Sequence, residues 1–197
     1  MMKKQTTNLL LVLLAGILSG CASFQGNQLD RVSDYPSVRR KKSIHATLVF
    51  KGKLNGEPWP QNDARNQAYL KQRYLEHLES CGMFSVVPGD PDTTDFKLHI
   101  ALVNEKETGA IRQTLSTLTL FLIPYTSTDT FRMLAVLEEP ATGKKKKIWL
   151  TQTVNHRQQL FLLPFAPFKS SDSEIKKAVD RLLENLFMEI HRVDIAR

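Results

Sequence analysis

The side chains able to move protons, bind metal or form covalent bonds are few and scattered. His45, His77, His99, His156 and His191 lack metal-ligand spacing, and only His45 and His99 sit where neighbouring strands could bring them together. Asp90, Asp92 and Asp95 hint at an oxygen-ligand loop. The spacing and closing glutamate of a calcium hand are missing, so these acids read as part of a turn. There is no glycine-rich phosphate loop, Gly-x-Ser-x-Gly elbow or His-Glu-x-x-His helix. No carboxylate pair and no nucleophile with its base stands out. The expectation is a protein without catalytic residues, metal or cofactor.

The cysteines are more informative. Lys3 and Lys4 precede an apolar run from Leu9 to Leu18, which leads into Leu18-Ser19-Gly20-Cys21. Ten apolar residues are too few to span a bilayer as a helix but fit the apolar region of a signal peptide. Leu-Ser-Gly-Cys in this setting resembles the lipobox of bacterial outer-membrane lipoproteins. The resemblance implies cleavage before Cys21, acylation of Cys21, and anchoring to the membrane through that lipid. Ala22, in place of aspartate, implies sorting to the outer membrane with the domain facing the periplasm. Several acyl chains on one residue anchor stably, since each buried CH₂ contributes about 0.8 kcal/mol. Cys81 then remains as a lone thiol unable to form an internal disulfide. It ends an apolar helix stripe and reads as a buried, inert thiol.

The net charge of +7 includes Lys3 and Lys4, and the segment before Cys21 has no acidic residue, so its removal leaves +5. A basic balance on an envelope protein does not imply nucleic acid as partner. The charge is concentrated in Arg39-Arg40-Lys41-Lys42 and Lys144-Lys145-Lys146-Lys147. The first run reads as a solvated linker charge run or, beside the lipid, as a contact for anionic head groups. The second reads as a solvated hairpin turn or as a contact for an acidic lipid or protein.

The elements that would position these residues follow from periodicity. Residues 21–42 are polar, with Gly26 and Pro36, and read as a lipidated cysteine on a flexible tether able to reach roughly 70 Å. The alternation of Ile44, Ala46, Leu48 and Phe50 predicts a strand. A helix is expected over 62–81, with Ala64, Ala68, Tyr74, Leu75, Leu78 and Cys81 on one stripe, Lys71 interrupting it, and Gly82 ending it. Phe84 to Val87 predicts a short strand. Phe96, Leu98, Ile100 and Leu102 face inward on the next, and 104–114 reads as a loop. Strands near 130–138 and 145–155 form a hairpin about Glu139 to Lys144, with Phe131, Met133, Ala135 and Leu137 on one face. Ser171-Asp172-Ser173-Glu174 has the form of a capping box. The stripe Ile175, Val179, Leu182, Leu183, Leu186, Ile190 and Val193 then predicts a long helix. The fold class is α+β: a mostly antiparallel sheet, two helices on one face, order β-α-β-β-β-β-α, forming one periplasmic domain over 43–197 after a signal peptide at 1–20.

One apolar phrase occurs twice. Phe121, Leu122, Ile123, Pro124 and Tyr125 are echoed by Phe161, Leu162, Leu163, Pro164 and Phe165, with Phe168 beyond. The hairpin would bring both phrases to its open end, away from the four lysines. They read either as core or as a membrane or partner surface.

The block from Leu75 to Leu102, with Leu78-Glu79-Ser80-Cys81-Gly82-Met83-Phe84-Ser85-Val86-Val87 and then Thr94-Asp95-Phe96, resembles a segment of proteobacterial envelope lipoproteins. These include auxiliary lipoproteins of ABC-type transport systems and domains similar to the N-terminal domain of TolB. The two Phe-Leu-x-Pro phrases are similar to those of uncharacterised lipoproteins. The function implied is a membrane-anchored, non-enzymatic binding or assembly module with an envelope protein partner. The alternative is a lipid-handling or membrane-contacting protein using 120–125 and 160–168. Replacing Cys21 by serine should abolish incorporation of radiolabelled palmitate in a Gram-negative host; labelling that persists would contradict acylation at Cys21.

Overall fold

The computed structural model describes residues 21–60, 63–86, 93–119, 122–159 and 170–195. The elements in chain order are β1 (Cys21–Gln25), β2 (Lys42–Leu54), β3 (Glu57–Pro58), α1 (Asp63–Cys81), β4 (Phe84–Val86), β5 (Phe96–Thr108), α2 (Ala110–Leu118), β6 (Tyr125–Glu139), β7 (Lys144–Gln158) and α3 (Ser171–Ile195). The strands form one seven-stranded sheet in the order β1-β7-β6-β5-β2-β3, with β4 also on β2. The α+β class holds, with three helices described rather than the two expected.

The sheet is mixed. β5 pairs antiparallel with β6, β6 with β7, and β1 with β7. β2 runs parallel to both β4 and β5. β3 is antiparallel to β2, so the mostly antiparallel expectation holds, and the parallel pairs come from the helix between two strands. The 19 residues of α1 carry the chain back across the sheet, and a helical crossover of that length returns the next strand in the same direction.

Side-chain parity follows the sequence pattern closely. Phe96, Leu98, Ile100 and Leu102 are buried, as are Phe131, Met133, Ala135 and Leu137. In α3, Val179, Leu182, Leu183, Leu186 and Ile190 are buried, and Ile175 and Val193 pack against them. In α1 the buried stripe is Leu70, Tyr74, Leu78 and Cys81, while Ala64, Ala68 and Lys71 are exposed. Lys71 therefore interrupts nothing. The spacing of four, four and three residues fits one helical face, and a large Leu70 draws that face to itself over two alanines. Gly82 has φ +66° and turns the chain out of α1 as expected. The cap of α3 shifts by one residue: Ser170, not Ser171, accepts the Ser173 N–H at 3.3 Å.

Residues 104–108, expected in a loop, extend β5, and α2 follows at once. The hairpin arms are also longer than expected, running in register from Tyr125↔Gln158 to Glu139↔Lys144. Glu138 and Lys145 face each other across the hairpin at 2.9 Å.

Helices α1 and α3 are clasped at the surface. Asp180 of α3 accepts from Arg73 Nη2 at 2.6 Å and lies 3.2 Å from His77 Nε2, both on α1. Burial pushes the Asp180 carboxyl up, but the hydrogen bonds from His77 and Arg73 outweigh it, and the net shift is below the ordinary value of 3.8. A carboxylate with a depressed folded value contributes stability that is full above its unfolded value and lost as pH falls through the folded one. Stability should therefore fall in acid from about pH 4 downward, more steeply in the natural chain than in Asp180→Asn. At neutral pH the variant should be less stable by roughly 1–3 kcal/mol. Urea unfolding over a pH series checks both; parallel curves would remove Asp180 from the account.

Candidate functional site

The segment expected to be a tether is part of the fold. β1 pairs with the edge of β7 from Cys21↔Gln158 to Gln25↔Val154. Ala22 and Ser23 have no exposed surface. Leu29, Tyr35 and Val38 pack against the core. The Val32 N–H donates to Glu184 at 3.3 Å, and Asn185 donates to the Asp30 carbonyl at 2.8 Å, so residues 30–32 lie along α3. The segment is polar because its partners are polar, not because it is free. Gly26 approaches β7 so closely that a Cβ there would lie 2.1 Å from Thr153 Oγ1.

Two buried hydrogen-bond systems fasten β1. In one, Gln152 Nε2 donates to Gln25 Oε1 at 2.7 Å. Gln25 Nε2 donates to the carbonyl of Glu174 at 2.7 Å and to its carboxylate at 2.9 Å. Gln152 Oε1 accepts the Leu29 N–H at 2.9 Å, and Lys177 neutralises Glu174 at 2.7 Å. In the other, His156 is the centre. Its Nε2 lies 2.6 Å from Asp129 Oδ2, and its Nδ1 lies 2.7 Å from Ser23 Oγ and 3.2 Å from Ser171 Oγ.

Serine, histidine and aspartate in that order are the constellation of nucleophilic catalysis. Here the serine belongs to a strand paired along its length, and its side chain is fully buried, as are His156 and Asp129. The arrangement joins four elements: β1 by Ser23, β6 by Asp129, β7 by His156 and α3 by Ser171. The sequence does not reveal it because the expected hairpin arms begin near 130 and end near 155. Extending the alternation of Phe131 and Met133 backwards places Asp129 and Ser127 on the buried face, and extending that of Val154 forwards places His156 there.

The remaining sequence-selected residues separate to two ends of the sheet. His45, Lys97, Glu138 and Lys145 form one row across β2, β5, β6 and β7, so Lys42 and Lys144 mark the same end. Cys21, Gln158 and Tyr125 form a row at the other. β2 has 13 residues, or roughly 40 Å of strand. Arg39 to Lys42 thus lie at the far end from Cys21, not beside it. Lys144 to Lys147 belong to β7 and are all exposed, with Lys145 and Lys147 on the face opposite Lys144 and Lys146. A cavity of about 450 Å³ at this end is lined by Arg39, Arg40, Lys42 and His191. Asp95 accepts from the Ser43 N–H at 2.7 Å and hydroxyl at 2.8 Å, and these bonds hold its carboxyl below the usual range. Asp90 and Asp92 lie outside the described residues. His99 faces Thr47, two rows from His45. Cys81 is buried and donates to the Leu78 carbonyl, and burial pushes its thiol up.

Of the first apolar phrase, Leu122, Ile123 and Pro124 are exposed and Tyr125 is buried; Phe121 lies outside the described residues. The second phrase, with Phe161, Leu162, Leu163, Pro164, Phe165 and Phe168, also lies outside them. A groove of about 560 Å³ separates the N-terminal halves of α1 and α3, floored by Phe50, Leu102 and Phe131. The side-chain amide oxygen Oδ1 of Asn104 and the hydroxyl of Tyr69, two of its lining residues, have no hydrogen-bond partner.

No family model matches the chain, and no curated protein does. Among solved structures it is similar to a neuraminyllactose-binding hemagglutinin homolog from Helicobacter pylori, with 8% identity and a TM-score of 0.45 over 83% of this chain and 88% of that one. A PelC variant dodecamer from Paraburkholderia phytofirmans aligns at 12% identity and a TM-score of 0.36, over 83% and 96%. A second PelC dodecamer aligns at 13% and 0.28, over 83% and 97%.

Removing the Asp129 carboxylate leaves a ring nitrogen of the buried His156 without its partner. Asp129→Ala should cost roughly 1–3 kcal/mol and should first loosen β1. Gly26→Ala should loosen it by steric clash. Hydrogen exchange should quicken at amides 22–29 in both variants while β5 amides keep their protection; uniform quickening would show that the network supports the whole sheet rather than this segment.

Proposed function

We propose that the chain is an outer-membrane lipoprotein, acylated at Cys21 and facing the periplasm, that works as a non-enzymatic binding or assembly module. One observation carries this reading: Cys21, the residue that resembles an acylation site, opens a strand of the sheet, and both basic runs project from the opposite end. An anchor built into the sheet fixes the orientation of the domain on the membrane. It holds Arg39 to Lys42 and Lys144 to Lys147 roughly 40 Å away from the lipid, well beyond a Debye length at physiological salt.

The two runs are about 100 residues apart in sequence, yet only about three strand spacings, roughly 14 Å, separate their strands. Head groups of the anchoring membrane are out of reach for this end. The partner that suits it is an acidic surface of another envelope protein. The buried Ser23 supports the non-enzymatic reading, since a nucleophile needs a path for substrate.

The test is crosslinking in cells from a photoreactive residue at Lys147 or Arg40. The expected result is an adduct with a second envelope protein that fades when Lys146 and Lys147 are both changed to glutamate. Recovery of uncrosslinked monomer alone would overturn the reading.

A further inference from the structure

We propose that helix α2 lies in the plane of the membrane that the Cys21 lipid enters, seating Ile111, Leu115 and Leu118, with Leu122 and Ile123 behind them, among the acyl chains. The inference rests on the anchored reading of Cys21 and adds a second, protein-borne membrane contact.

The apolar residues of α2 are not used by the fold. Ile111 is 79% exposed, Leu118 76% and Leu115 46%, and the buried residue of the helix is Ser116. At about 100° per residue, Ile111, Leu115 and Leu118 fall within about 60° of one another, with Ser116 well off their stripe. The helix thus meets the protein with a serine and offers its leucines outward, the reverse of a helix packed on a core. The turn that follows is tied back to the helix. Ser116 Oγ donates to the Ile123 carbonyl at 2.7 Å, and the Leu122 N–H donates to the Thr119 carbonyl at 3.1 Å. Leu122 is 59% exposed and Ile123 44%, so they extend the patch.

The topology says what covers it. α2 joins the end of β5 to the start of β6, and Tyr125, the first residue of β6, shares a row with Gln158 and Cys21. Cys21 is two strand spacings from Tyr125, roughly 10 Å. Because β1 is paired from Cys21 onward, no slack chain separates an acyl group on that residue from the sheet. A lipid entering the bilayer there brings this end of the sheet, and α2 with it, to the interface. Arg112 is the one charged residue of α2, and the helix itself carries no carboxylate, the composition of a helix that lies on a membrane.

The experiment uses the full lipidated chain in phosphatidylethanolamine–phosphatidylglycerol vesicles. Leu118→Cys provides a reactive thiol for an environment-sensitive dye, since Cys81 is buried and Cys21 acylated; Ala141→Cys in the basic-end turn is the control. Bromine on the acyl chains should quench the dye at 118 and not at 141. Equal quenching by aqueous iodide at both sites would overturn the proposal, as would a disulfide between two copies at 118 or a crosslink from 118 to another protein. In a second arm the unacylated Cys21→Ser chain should float with the same vesicles, and Ile111→Glu with Leu118→Glu should lower that partitioning at least about tenfold. Equal flotation with and without the glutamates would overturn the role of α2, whereas absence of palmitate on the natural chain would overturn the anchor and leave the flotation result to decide α2 by itself.

Discussion

The docking of β1 governs the rest of the molecule. Its hydrogen bonds to β7 are those of any edge strand. What fastens it is the pair of buried side-chain systems beneath, Gln152–Gln25–Glu174 and Asp129–His156–Ser23. Each buried polar atom in them would cost free energy if left without a partner. Together they tie the segment from Cys21 to Leu29 to β7 and α3. The residue that resembles an acylation site is thereby made part of a rigid sheet.

That constraint gives the domain a direction. The strands run between two chemically different ends, one carrying Cys21 and the exposed stripe of α2, the other carrying both basic runs. Apolar side chains on α2 need a low-dielectric neighbour, while lysines need water or a counter-charge. A sheet roughly 40 Å long keeps the two demands apart. The helices α1 and α3 cover one face of the sheet between the ends, and their apolar stripes converge where Phe187 meets Tyr74 and Phe84 at centroid distances of 5.6 and 5.9 Å.

Much of this body was legible from alternation and helical spacing. Phe96 to Leu102, Phe131 to Leu137 and the α3 stripe lie buried where period two and period 3.6 put them, because burial of a regular element selects its residues at fixed intervals. The readings that failed share a cause. Residues 21–42 lack apolar periodicity and so have the look of a tether, yet they are held by polar partners up to about 150 positions away. Ala64 and Ala68 were placed in the core because small apolar residues fit any face. The candidate catalytic-type cluster went unseen because Ser23, Asp129 and His156 are 106 and 27 positions apart, and no local pattern joins them. Only its two hairpin members carried a readable sign, the parity of their strands.

The sequence by itself determined the local elements, the buried faces of the strands and of α3, the turn of the lysine hairpin, and the resemblance at Cys21 to an acylation site, since all of these are set by neighbours within a few residues. The tertiary structure alone decided that β2 runs parallel to β5, that two distant basic runs share an end, that α2 turns its leucines away from the protein, and that Cys21 begins a strand rather than a tether. These depend on which residues meet across the sheet, and that choice is made by the simultaneous satisfaction of buried groups that lie far apart in the chain.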